Sequence, residues 1–142
     1  MTDSSHTQKV NDYLKQMGGF GPLDADASCF LQWRDIHIGV RLLFDKGLLM
    51  VASPVINLPE VNLLPLFRKL LTLNHADTFD AAFSLNERFG TIDLQIKRPL
   101  EDLDYSEFRR AVGIVGRVAS KFVNVLRQDF GSETIHAVRS GS

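Results

Sequence analysis

"IHIGVRLLFDKGLLMVAS", Ile36 to Ser53, is the stretch on which the fold turns. Ile36, Ile38, Val40, Leu42 and Phe44 alternate with His37, Gly39, Arg41 and Leu43, the period of two that puts one face of a strand on a core and the other toward water. "DKG" at Asp45 to Gly47 reads as a three-residue hairpin loop with glycine in the left-handed position. The chain then returns through Leu48 to Ser53 as an antiparallel partner. With Phe44 opposite Leu48, the register turns Ile38, Val40, Leu42, Met50 and Ala52 toward covering helices and leaves Leu43, Leu49 and Val51 facing outward.

Working toward the N-terminus, Ser28 to Arg34 carries Cys29, Phe30, Leu31 and Trp33 and makes a further strand. The "GGFGPLDADA" loop separates it from a first helix over Thr7 to Met17, whose Val10, Tyr13, Leu14 and Met17 share one face. Toward the C-terminus, Asn62 is placed to cap a helix over Leu63 to Asn74, with Pro65 in the first turn where its missing N–H costs nothing. Leu63, Leu64, Leu66, Phe67, Leu70, Leu71 and Leu73 cover more than one stripe of that helix, so it requires cover on two sides. Ala81 to Leu85 and Thr91 to Lys97 form a second hairpin around "NERFG". Asp104 and Glu107 form a capping box before a long helix with Tyr105, Phe108, Val112, Val115, Ala119, Phe122 and Leu126 on its apolar stripe and Gly131 as its stop.

The expected order is α-β-β-β-α-β-β-α. Short connections and hairpins make this an α+β sandwich, a single domain with a five-stranded antiparallel sheet and helices packed on it. The domain is expected over residues 1–131. Residues 132–142, ending in "RSGS", read as a tail that is disordered or partly an expression scar.

Composition narrows the function. The chain has 142 residues, 44% of them apolar and 23% charged, and can bury a core without metal or disulfide. No apolar run is long enough to span a membrane, and the polar start, Met1 to Lys9, is no secretory signal, so a cytoplasmic location is expected. A net charge of -1 gives no general attraction to nucleic acid or anionic lipid. Arg109, Arg110, Arg117, Lys121 and Arg127 on the last helix read as a solvated flank with no interleaved aromatics to stack bases.

No catalytic, cofactor or metal constellation emerges. Cys29 is the single cysteine, and His6, His37, His75 and His136 lie far apart without ligand spacing. Asp77, Asp80, Glu101, Asp102 and Asp104 fall in turns and caps, where carboxylates are favoured without any chemistry. His75 is expected beside the last carbonyls of the middle helix.

The middle helix closes in "LLTLNH", a short strand follows, and "LQIKRPLEDLDYSEFRRAV" joins the last strand to the final helix. In these features and in its element order, the chain from Thr7 to Phe130 resembles the bacterial type III secretion chaperone-like domains and the YbjN-like proteins that share their fold. The resemblance implies a homodimer that holds a peptide or an unfolded stretch of a partner protein and carries no catalytic motif; with the composition above, no cofactor, nucleic acid or membrane is expected. The alternative it leaves is a YbjN-like regulatory or adaptor domain of unsettled activity. The residues themselves place client binding on the outward sheet face, at Trp33, Leu43, Leu49 and Val51. They place the dimer contact on the second stripe of the middle helix, at Leu63, Leu66, Phe67 and Leu70.

Overall fold

The computed structural model describes residues 2–131. Among them the elements run α1 (Asp3–Gly18), β1 (Ser28–Trp33), β2 (Ile36–Leu43), β3 (Leu48–Asn57), α2 (Leu63–Ala76), β4 (Ala82–Asn86), β5 (Thr91–Pro99) and α3 (Tyr105–Phe130). The strands form one antiparallel sheet in the order β1-β2-β3-β5-β4. This is the α+β sandwich expected. The last two strands enter the sheet in reverse, so β5 lies beside β3 and β4 forms an edge.

The helices lie on one face of the sheet. α3 spans the central strands with Phe108, Val112, Val115, Ala119 and Leu126 buried against Ile38, Val51 and Leu94 in a single apolar core. Its start is capped as anticipated, the Asp104 carboxylate accepting the Glu107 N–H at 2.7 Å. α1 begins earlier than Thr7 because the Thr2 hydroxyl oxygen caps it, accepting the Ser5 N–H at 3.1 Å. Two long-range bonds then pin α1 to the connection between β5 and α3: Lys9 Nζ donates to the Leu100 carbonyl at 2.8 Å, and the Tyr13 hydroxyl to that of Leu103 at 2.9 Å. Desolvation on burial, with Asp104 and Asp12 nearby, raises the Tyr13 pKa, so its phenol stays a donor at neutral pH.

The first hairpin closes differently from the reading above, and the difference is decisive. Phe44–Lys46 form a single 3-10 turn ended by Gly47 at φ 65°, so the loop takes in Phe44 and Leu43 pairs with Leu48. Leu42 therefore faces Leu49, and Val40 faces Val51. A slip of one residue flips every side chain of the returning strand. Leu49 and Val51, expected outside, are fully buried beneath the helices, and Met50 and Ala52, expected inside, lie on the outer face. The parity of β2 holds, with Ile38, Val40 and Leu42 buried.

α2 packs on β4 through Leu66, Leu70 and Leu73. The stripe expected to meet a second copy thus turns inward: Leu66 and Leu70 are buried, and Leu63 and Phe67 are half-buried. The stripe left in water holds Leu64 and Leu71, each 69% exposed. Both stripes are leucine-rich, and only the position of β4 decides which one its own chain covers. Asn62 stands at the helix start with φ 63° and makes no side-chain cap. The tail expected at 132–142 lies outside the described residues.

Candidate functional site

The face of the sheet away from the helices carries a groove of about 370 Å³. Its floor is made by small or ring-constrained residues of the central strands, Gly39, Ala52 and Pro54, with Met50 beside them. Phe30 on β1 and Phe89 in the turn between β4 and β5 line it from opposite sides of the sheet, 69% and 59% exposed. Gly39 is what allows Phe30 to lie low, because Phe30 pairs with Gly39 across the strands and a Cβ there would stand 3.3 Å from its ring. Pro54 lies where the register of β3 against β5 shifts, a bulge that bends the floor.

The polar lining is asymmetric. Asp93 has both carboxylate oxygens engaged, accepting from the Thr91 hydroxyl at 2.7 Å and from Asn86 Nδ2 at 3.0 Å. Arg41 is exposed on β2, and Arg88 stands 5.3 Å from the centre of the Phe89 ring. Neither guanidinium has an ion pair among the described residues, where Arg98–Asp80 is formed elsewhere. Cys29 also borders the groove, but burial and, to a lesser degree, Asp24 raise its pKa against the opposing bond from the Gly21 backbone, which keeps it a thiol and a poor nucleophile at neutral pH.

The edge at β4 is covered by the chain itself at Ala81 and Phe83. The Asn74 side chain acts as a piece of a neighbouring strand: its Oδ1 accepts the Phe83 N–H at 2.7 Å and its Nδ2 donates to the Phe83 carbonyl at 3.2 Å. Next to it the Ala81 N–H donates to the Thr78 carbonyl at 3.0 Å, and the Thr78 hydroxyl donates to the Ala81 carbonyl at 2.7 Å. Asn74 ends the "LLTLN" run, and its role is that of a plug against strand addition.

Of the residues assigned to client binding, only Leu43 keeps its place on the outer face, half-buried and outside the groove lining. Leu49 and Val51 belong to the core for the register reason given above. Trp33 also points to the helix side, where its indole packs on Gly116 of α3. Phe30 and Phe89 escaped sequence reasoning, although each left a trace. Phe30 interrupts the parity of Cys29, Leu31 and Trp33, and Phe89 is an aromatic residue in a tight turn with no core to serve. Among the described residues no three or more His, Cys, Asp or Glu side chains gather where a metal could bind, and no helix is long and apolar enough to cross a membrane. His75 is exposed in the last turn of α2.

The fold recurs in solved structures. A chain of the ExsC–ExsE complex superposes with a TM-score of 0.69 at 20% identity, over 87% of this chain and 94% of that one. A chain of the HopA1–SchA chaperone–effector complex gives 0.68 at 12% identity, over 87% and 99%. YbjN from E. coli gives 0.59 at 13% identity, over 81% and 89%. No curated protein matches the sequence. Residues 10–115 match the model of the Tir chaperone protein (CesT) family, and the chain belongs to that family.

Proposed function

We propose that this chain is a non-enzymatic chaperone that holds an extended segment of a client protein on the outer face of its sheet. The observation that carries the proposal is the groove from Phe30 to Phe89, two exposed aromatic rings bordering a floor of small apolar residues on the face that the helices leave bare. Membership in the Tir chaperone family supports it, as do chaperone–effector complexes in which a chain has the same fold. The floor is apolar, with no titratable groups converging on it, and suits contact with side chains of an extended peptide. A cytoplasmic site of action and a homodimer complete the reading. The exposure of Leu64 and Leu71 on the wet stripe of α2 supports a dimer contact there.

Co-purification from a lysate of the source organism, followed by reconstitution from pure proteins, tests the proposal. Wild type should retain one or a few clients, and Phe30→Asp should lose them while its circular dichroism stays native. Retention of the same clients by Phe30→Asp would remove the outer face as the binding site.

A further inference from the structure

We propose that the groove is selective, taking client segments in which a large apolar side chain is flanked by carboxylates. This rests on the client-holding reading above and adds the chemistry of the client. A segment crossing from Phe30 to Phe89 traverses the sheet from β1 to β5, three strand spacings or about 14 Å, and meets the apolar floor at Ala52. The charges beside that path are Arg41, Arg88 and Asp93. Asp93 keeps its negative charge but is held by Thr91 and Asn86 at the β5 side, whereas among the described residues no carboxylate lies within ion-pair distance of Arg41 or Arg88. Lys97 pairs with Met50 across the strands and adds a third cation to the same face. Glu87 is exposed in the turn with Arg88 but does not line the groove. In a chain of net charge -1 this face is therefore locally basic, and guanidinium groups beside an apolar floor match carboxylates flanking an apolar side chain.

The test uses short fluorescein-labelled peptides in matched sets, each with a central leucine or phenylalanine flanked either by aspartate and glutamate or by lysine, and reads anisotropy with the full-length protein. Wild type should bind the acidic set about tenfold tighter, the separation expected when two exposed charge contacts turn from attractive to repulsive. The double variant Arg41→Glu, Arg88→Glu should reverse the order, and raising salt well above about 0.1 M should weaken the acidic set. Equal binding of both sets, or preference for lysine, overturns the selectivity while leaving client holding intact. Tighter binding of an oligothymidylate than of any peptide assigns the basic rim to nucleic acid and overturns it too. If neither set binds although a client is retained in co-purification, the groove is not the recognition site. If no client is retained either, it is the client-holding reading itself that fails.

Discussion

The Trp33 indole lies directly on the backbone of Gly116, so close that a Cβ at that position would stand 2.5 Å from Cδ1. The contact joins the end of β1 to the middle of α3, and it depends on glycine for space rather than for backbone freedom. Gly116→Ala should push the ring out and cost about 1 kcal/mol, overpacking outweighing the gain in helix propensity. In a Trp33→Ala background the same substitution should become stabilising by a similar amount. Urea denaturation of the four proteins checks the reversal of sign, and a red shift of the single tryptophan's fluorescence in Gly116→Ala checks the displacement.

The register of the first hairpin makes a second prediction. Leu49 and Val51 are fully buried and Phe30 is exposed, so Leu49→Asp should cost about 4 kcal/mol or more and leave little folded protein. Phe30→Asp should change the melting temperature little. A Leu49→Asp protein that melts like wild type would restore the outward register.

Asn74 provides a third. Its truncation to alanine removes two hydrogen bonds from Phe83 and should cost about 1 to 2 kcal/mol. It also uncovers strand edge, so concentration-dependent aggregation should rise, measured by light scattering near the transition temperature. Asn74→Asp keeps the acceptor, loses the donor, and should fall between the two.

The proposed dimer yields a fourth. Leu64→Glu with Leu71→Glu should give a folded monomer by size exclusion with light scattering, since both side chains are in water in the single chain. Leu66→Glu should instead unfold it, because Leu66 is fully buried. Wild type running as a monomer at high concentration would refute the dimer.

Element order and fold class were legible because the signals that carry them are local. Alternation in Ile36–Phe44, the capping pair Asp104 and Glu107, and the long stripe of α3 each report on a few neighbouring residues. The faces were legible only where polar residues mark them. β2 alternates with His37 and Arg41, and its parity was right; Leu48 to Ala52 is apolar throughout, so nothing in it resists a slip. One residue of loop, Phe44 in a 3-10 turn instead of a strand, then exchanged core for surface from Leu49 to Ala52. The same ambiguity hid the exposed stripe of α2, and Leu49, Val51, Leu66 and Leu70, read as surface contacts, lie in the core.

The strand order also dictates when the sheet can be completed. β3 is central, yet its second neighbour is β5, so its far edge finds no partner until the chain through Pro99 has been made. Until then Val51, Val55 and Ile56, all buried in the finished protein, lie on a strand with one edge unpaired. That ladder is also the longest-range strand pairing of the sheet, since its formation closes a loop containing α2 and β4. A nascent chain stalled between Asn57 and Thr91 is therefore the species most exposed to aggregation, and a protein proposed to hold other chains unfolded passes through the same hazard during its own synthesis.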